Sequence, residues 1–338
     1  MKAFRRIASR YRGIRVENDI SKGKYKRLVG YLSKGKEMLI DDEMNLIQLL
    51  VSRKDNSLQK LVKEIAEGEE KQKEEILTAN RYENEKLSIL TYLILLQRYD
   101  VLEYLLKNIN INLTLNNSMS ILHAVLASGG DISSTVSYLL QNGLDYNRQD
   151  GDGNTPLHIA AMMKDEASVK MLMSMPKINV NLVNALGRSP LQEAFMYSTL
   201  DIIKQLEKRT TPQNKRSVLH YSIMNEDSTV FEYALSKYAD QKNAVLHHLP
   251  FSYPVHYAAS KPKKYALEQM LTTESAGYKD KEGNNVLHIA IQCKSLECIR
   301  YIIQTQKELL KVPNSYGVTP EDLLKSMSDI LLQGVDKF

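Results

Sequence analysis

Apolar residues recur along most of the chain at intervals of three and four residues, which is the period of an amphipathic α-helix. The pattern is clearest around residue 160, where Leu157, Ala160 and Ala161 form one narrow apolar stripe. Val169 and Leu172 start a second stripe a few residues later. The pattern therefore predicts pairs of short helices, and the small alanine side chains allow neighbouring helices to approach closely.

One short pattern recurs seven times between residues 121 and 323. The spacing between successive copies is 35, 34, 28, 36, 32 and 34 residues. The aligned positions carry histidine in five copies and glutamine or aspartate in the other two: His123, His158, Gln192, His220, His256, His288 and Asp322. A unit of this length cannot bury both faces of its helices alone, so stability must come from stacking of successive units.

Residues 147–161 give the clearest unit, in which turn residues with two glycines precede Thr155, Pro156, Leu157 and His158. Threonine suits a helix N-cap, and proline suits the first helical position because no partner is needed there for an N–H group. The roughly 33-residue period and the Thr-Pro-Leu-His sequence resemble the ankyrin repeat. The resemblance implies an all-α fold, an ankyrin-type α-solenoid of stacked helix-turn-helix repeats with an N-terminal helical cap.

Three regions are predicted: a basic N-terminal arm or cap over 1–40, a helical region with degenerate ankyrin-like repeats over 41–110, and six to seven ankyrin repeats over 111–335. In the second region, apolar spacing predicts helices over 43–52, 57–66, 87–97 and 101–107. The 28-residue step predicts a shortened second helix or loop around 206–217. The 36-residue step predicts an extended finger over 242–253, where a finger is the turn that leads from one helix pair into the next.

Charge sets the N-terminal region apart. Residues 1–36 carry twelve Lys or Arg and two acidic residues, a net charge of +10, whereas the rest of the chain has a net charge of −5. Three interpretations stay open: an ordinary basic cap or arm, contact with an anionic membrane or acidic partner, and an organelle-targeting segment. The body carries no general nucleic-acid footprint, so no nucleic-acid partner is expected.

The remaining composition argues for an ordinary intracellular protein. No run of 18 or more apolar residues occurs, so no transmembrane helix is indicated. The two cysteines, Cys293 and Cys298, lie on different sides of a predicted helix and form neither a disulfide scaffold nor a zinc site; we expect Cys293 to be exposed and Cys298 buried. We expect a cytoplasmic monomer. The degenerate repeats and basic arm resemble ankyrin proteins that bacteria deliver into host cells, which would place it in the host-cell cytoplasm.

No catalytic, metal or cofactor site is predicted. The resemblance implies that each repeat histidine hydrogen-bonds the capping residue and the adjoining turn, which gives it a structural role. His247 and His248 form a pair on the predicted extended finger but have no evident third ligand. An enzyme or a membrane-associating module with its active element in residues 1–110 is the alternative function.

The resemblance implies that the protein is a non-enzymatic scaffold that binds a segment of a partner protein in its concave groove. One form of this function is that of a secreted effector that acts on host proteins. Alignment of the units assigns partner contacts to the end of each first helix and to the finger turns. The predicted partner-binding residues are Asp152, Asn154, Met162, Met163, Arg188, Met196, Tyr197, Arg216 and Met224. We expect the methionines and Tyr197 to form a contiguous exposed patch, because methionine adapts to apolar partners.

Overall fold

The structure is a computed structural model of the 338-residue chain. It describes residues 22, 24, 26, 28, 56–68, 90, 93–94, 98–108, 111–215, 217–245, 253–261 and 263–326. The chain divides into two compact units, Met1–Gly187 (unit 1) and Arg188–Phe338 (unit 2), and each is treated separately below. The predicted region boundaries at 40 and 110, and the predicted helix over 43–52, lie outside the described residues.

The described residues form α-helices and short 3-10 turns, without a β-strand among them. Those of unit 1 are α1 (Ser57–Ala66), α2 (Tyr99–Leu106), α3 (Ile121–Ser128), α4 (Ser133–Gln141), α5 (Pro156–Met162) and α6 (Glu166–Ser174). Those of unit 2 are α7 (Pro190–Tyr197), α8 (Leu200–Glu207), α9 (Val218–Ser222), α10 (Ser228–Lys237), α11 (Pro254–Ser260), α12 (Lys264–Met270), α13 (Thr273–Ala276), α14 (Val286–Gln292), α15 (Leu296–Thr305) and α16 (Pro320–Ser326).

Several of these helices begin where the sequence supplies a capping side chain or a proline. Pro156 and Pro190 occupy the first turns of α5 and α7, where a missing N–H group costs nothing. At the start of α14, the side-chain oxygen of Asn285 accepts hydrogen bonds from the backbone N–H groups of Leu287 and His288, at 3.0 and 3.1 Å. The repeating pattern thus specifies helix starts locally, through caps that satisfy otherwise unpaired donors.

Each unit is built from layered helix pairs. In unit 1, α3 packs on α5 and α4 on α6. In unit 2, the first helices α7, α9, α11, α14 and α16 pack in succession, with α12 on α15 in the second layer. The predicted stripe of Leu157, Ala160 and Ala161 is fully buried. The all-α fold of stacked helix-turn-helix repeats is therefore confirmed.

Finger turns join successive pairs through backbone hydrogen bonds. In unit 1, the N–H of Gly151 donates to the carbonyl of Asn117 at 2.7 Å, and the N–H of Ala185 donates to the carbonyl of Asp152 at 2.9 Å. Gly153 has a φ of +74°, and a Cβ atom added there would lie 2.7 Å from the nitrogen of Ala185. Glycine is thus required both for the left-handed turn and for the close approach of two fingers.

The 28-residue step is taken up by a short connection. Ten residues, 208–217, separate α8 from α9 and include the 3-10 turn Pro212–Lys215, whereas fifteen residues, 175–189, separate α6 from α7. The prediction of a shortened loop is therefore confirmed. Most of the predicted extended finger, including His247 and His248, lies outside the described residues. In the described part of the chain, no helix combines the length and the apolar character that crossing a bilayer requires.

Candidate partner-binding surface

The repeat histidines connect each helix start to the following finger. The Nδ1 atom of His123 lies 2.7 Å from the hydroxyl of Ser120, and its Nε2 atom lies 2.9 Å from the carbonyl oxygen of Asn154. His288 repeats the arrangement, at 2.9 Å from its cap residue and 3.0 Å from the next finger. Both histidines are fully buried. The structural role that the resemblance implied is confirmed for these two repeats.

His256 departs from this arrangement because Tyr253 occupies the cap position. The tyrosine ring packs edge-on against the imidazole, with 5.3 Å between ring centroids. The Nε2 atom of His256 still lies 3.1 Å from the carbonyl oxygen of Tyr278. Burial lowers the pKa of His256 to about 4, and the Tyr278 carbonyl and the charge of Asp280 oppose that shift only in part. His256 is therefore neutral in the folded protein at neutral pH.

This pKa predicts a loss of stability in mild acid. His256 takes up a proton near pH 6.5 in the unfolded chain but only near pH 4 in the folded chain. With respect to this residue, the folded protein therefore has its full free energy of unfolding above pH 6.5 and loses part of it as the pH falls towards 4. Between about pH 7 and about pH 5 the expected cost is about 2 kcal/mol. Urea unfolding of the wild type and of His256→Gln at both pH values tests this. Parallel pH profiles for the two proteins would contradict it.

The other candidate chemistry is sparse. Among the described residues, no three His, Cys, Asp or Glu side chains come together in a way that would hold a metal ion. Cys293 is exposed and Cys298 is buried, as predicted. Burial raises the pKa of Cys298 to about 11, so this thiol stays protonated and unreactive.

Unit 1 contains four of the predicted partner-binding residues. Met163 is 47% exposed at the end of α5, and Met162 is half-buried. Asp152 is exposed, and its carboxylate accepts a hydrogen bond from the amide of Asn117 at 2.9 Å. Asn154 has a structural function: its side-chain oxygen accepts a hydrogen bond from Asn184 at 3.0 Å. Asp152 and Asn154 thus connect fingers, and Met163 is an exposed apolar candidate at the end of α5.

Unit 2 contains the other five. Tyr197 is 41% exposed at the end of α7, and Met224 is half-buried. Met196 is only 6% exposed, so the expectation that it contributes to an exposed patch is wrong. Its helix packs against α9, which covers this side of α7. Arg216 lies outside the described residues.

Arg188 does not project as an isolated finger charge. Its Nε atom donates to a carboxylate oxygen of Glu193 at 2.8 Å, and the Glu193 side chain is 1% exposed. A buried carboxylate requires such a partner, because an uncompensated buried charge is costly. Arg188 therefore already neutralises Glu193, one turn into α7.

Two tyrosines that were not among the predicted contacts lie on the first helices that follow α7: Tyr221 on α9 and Tyr257 on α11. Tyr221 and Tyr257 each follow a repeat histidine by one residue; Tyr221 is buried and Tyr257 is half-buried. Burial raises the pKa of Tyr257; the nearby Tyr197 adds to the rise, and Arg188 opposes it. Burial also raises the pKa of Tyr221, which interacts with Arg188, Glu193 and Tyr257. We call Tyr197, Tyr221 and Tyr257 the tyrosine cluster.

A lysine borders the tyrosine cluster. The ammonium nitrogen of Lys261, at the end of α11, lies 5.9 Å from the ring centroid of Tyr257. A cation at this distance over an aromatic ring is held by the ring's electron-rich face. The imidazole of His220 lies 6.5 Å from the same ring, centroid to centroid. The first helices α7, α9 and α11, which pack in succession, thus carry or adjoin three tyrosines, an arginine–glutamate pair and a lysine.

Comparison with known proteins agrees with the architecture. The family model described as "Ankyrin repeats (3 copies)" matches residues 97–184 and 219–311, which is more than half of the chain. Rabankyrin-5 of Homo sapiens is 28% identical over 126 residues, which are 36% of this chain and 11% of that protein. Alpha-latrocrustotoxin-Lt1a of Latrodectus tredecimguttatus is 33% identical over 121 residues, 36% of this chain and 8% of that protein.

A further sequence relative and a solved structure are also similar to this chain. The putative ankyrin repeat protein L371 of Acanthamoeba polyphaga mimivirus is 23% identical over 175 residues, 52% of this chain and 20% of that protein. The crystal structure of the ankyrin repeat domain of Bcl-3 aligns with 62% of this chain and 95% of its own, at 17% identity and a TM-score of 0.45. The matches span at most 20% of the length of each of these three sequence relatives.

Proposed function

Because this chain belongs to the ankyrin-repeat family, we propose that it is a non-enzymatic scaffold that binds a segment of a partner protein on the first-helix and finger side of its repeats. Repeat stacks generally act by presenting an extended surface to a partner. The observation that carries the proposal is the tyrosine cluster of unit 2, in which Tyr197 is exposed at the end of α7 and Tyr257 is half-buried on α11. Tyrosine is enriched where proteins meet, because it combines a large apolar area with a polar tip.

Unit 1 supports the same function separately. Met163 is 47% exposed at the end of its first helix, and Leu186 is 65% exposed at the tip of a finger. Both positions belong to the part of the repeat that the sequence analysis assigned to partner contact. Apolar side chains exposed at such positions favour a binding surface over a purely structural one.

The enzyme alternative places its active element in residues 1–110, most of which lie outside the described residues. In the repeats, the ring nitrogens of His123 and His288 are engaged in the bonds that hold caps and fingers. The N-terminal interpretations, membrane contact and delivery into host cells, depend on residues 1–36, nearly all of which lie outside the described residues. The proposal therefore concerns the repeats alone.

Affinity capture tests the proposal with a matched pair of tyrosine variants. Tyr197→Asp changes the exposed tyrosine of the cluster, and Tyr265→Asp changes a tyrosine of nearly equal exposure, 43%, on a second helix. We expect proteins captured from cells that express the chain to be retained by the wild type and Tyr265→Asp, and to be lost with Tyr197→Asp. Identical capture by all three proteins would contradict the proposed surface.

A further inference from the structure

One junction in unit 2, between the α9–α10 repeat and the α11–α12 repeat, is packed less closely than its neighbours. The helix α9 has only five residues, Val218–Ser222. Among the described residues, α9 and α11 approach each other over a shorter stretch than α7 and α9 do, and over a shorter stretch than α11 and α14 do. In a stack of repeats, each junction makes its own contribution to stability, so a loosely packed junction is where the stack yields first.

A cavity of about 70 Å³ lies within the same junction. It is lined by Ile223 and Phe231 on the side of the first repeat, and by Lys263, Tyr265 and Ala266 on the side of the second. Ile223, Phe231 and Ala266 are buried. Side chains that face a void lack the dispersion contacts that close packing would give them, so separating these two repeats costs less than separating a filled junction.

The polar bonds of Asn225 differ on its two sides. Towards α7, its buried amide group donates to the carbonyl oxygens of Phe195 and Ser198, at 3.2 and 2.8 Å, and ties the α9–α10 repeat to α7. Towards α12, its own carbonyl oxygen accepts a hydrogen bond from the ammonium group of Lys263 at 3.0 Å. A lysine has a flexible four-carbon stem, so this second bond is a tether that permits small shifts.

The next junction along the chain is joined more directly. The imidazole of His256 on α11 lies 3.1 Å from the carbonyl oxygen of Tyr278, which precedes α14. The helices α12 and α15 also pack against each other. The loosely packed junction thus has a well-joined repeat on each side, and the 3-10 turn Ala239–Asn243, which contacts both α10 and α11, connects the two sides.

We propose that this junction is a hinge, at which the α7–α10 part and the α11–α16 part of unit 2 rotate relative to each other, with Lys263 as the tether and the cavity as the space that opens. Hinge motions of this kind take microseconds to milliseconds. The hinge lies between Tyr221 on α9 and Tyr257 on α11, so its opening changes the separation of Tyr197 from Tyr257. Its consequence for partner binding rests on the proposed function, whereas the hinge itself does not.

Methyl relaxation-dispersion NMR of the full chain, recorded without a partner, tests the hinge. We expect microsecond-to-millisecond exchange at the methyl groups of Ile223, which line the cavity, and flat profiles at those of Ile291 on α14. A flat profile at Ile223 would overturn the hinge. Exchange of equal size at Ile291 would also overturn it, because the whole unit would then be loose.

Two substitutions should move the hinge in opposite directions. Lys263→Met removes the tether but keeps the aliphatic stem, and should raise the population of the open form about fivefold. Ala266→Val fills part of the cavity and should lower that population several-fold. Lys264→Met is the control, because Lys264 pairs with Glu268 of its own helix at 3.4 Å, and it should leave the exchange at Ile223 unchanged.

The outcomes separate this inference from the proposed function. Equal exchange at Ile223 in Lys263→Met, Lys264→Met and the wild type would contradict the tether and the hinge it limits. That result would leave the partner-binding scaffold in place, because these measurements use the free chain. Loss of capture by Tyr197→Asp would in turn leave the hinge untouched. Circular dichroism of each variant verifies that it is folded.

Discussion

Replacing Glu207 with alanine is expected to lower the free energy of unfolding by about 3 kcal/mol, because three donors lose one buried acceptor. The Glu207 carboxylate, 6% exposed at the end of α8, accepts from the ammonium group of Lys237 at 2.7 Å and from the hydroxyl of Tyr233 at 2.6 Å. The hydroxyl of Tyr238 also donates to it. This network joins the second helices of two consecutive repeats, α8 and α10.

The pKa of Glu207 shows that the network favours the ionised form. Burial alone raises the pKa of this carboxyl group, but hydrogen bonds from Lys237, Tyr233 and Tyr238 outweigh burial and leave the pKa below its ordinary value. The resulting stabilisation is present above the ordinary carboxyl pKa and is lost as the pH falls below it. Alanine removes the acceptor at every pH, so the cost at neutral pH is near its maximum.

Chemical unfolding of Glu207→Ala beside Glu232→Ala provides the measurement and its control. Glu232 also accepts a tyrosine hydroxyl, that of Tyr265 at 2.8 Å, but both residues are exposed. Its replacement should cost less than about 1 kcal/mol, because water substitutes for an exposed partner. Equal losses for the two variants would show that burial of the Glu207 network contributes nothing. Glu207→Gln, which keeps one acceptor oxygen, should fall between the two.

Sequence reasoning identified the repeat because the relevant signals are local. A cap residue, a proline at the first helical position and a histidine three residues after the cap all act within one turn of helix. His123 and His288 accordingly have the hydrogen bonds that the resemblance implied. Cys293 and Cys298 have the predicted opposite exposures, but Cys293 follows the end of α14 and Cys298 lies within α15, so the expectation of one helix carrying both is wrong.

The surface was harder to predict, since exposure depends on the neighbouring repeat. Met196 and Tyr197 are adjacent at the end of α7, which packs against α9, yet only Met196 is buried. The pairing of Arg188 with Glu193 depends on side-chain direction across a cap. A signal for the tyrosine cluster did exist: Tyr221 and Tyr257 occupy the same position, one residue after the histidine, in consecutive repeats. The contacts predicted on the first helices lie four and five residues after the repeat position, as Met196 and Tyr197 do after Gln192, and so do not include this one.

The second large effect is expected at a glycine. Gly153→Ala should lower the free energy of unfolding by about 3 kcal/mol, because alanine would have a strained φ and its methyl group would clash with the neighbouring finger. The φ of +74° is unfavourable for alanine, and its Cβ would lie 2.7 Å from the backbone nitrogen of Ala185, which cannot rotate away as a side chain can. That nitrogen donates to the carbonyl of Asp152 at 2.9 Å, so any shift that relieves the clash also weakens the bond between fingers.

Gly187→Ala separates the two causes. Gly187 has nearly the same backbone angle, a φ of +70°, but an added Cβ meets no atom within 4 Å. It should therefore cost only about 1 kcal/mol, the penalty for placing alanine in the left-handed region. The difference between the two variants, measured by urea unfolding at neutral pH, reports the close approach of neighbouring fingers. Equal destabilisation of Gly153→Ala and Gly187→Ala would show that the fingers tolerate a methyl group between them. The backbone hydrogen bonds that join successive repeats would then not be the tight restraint inferred from their geometry.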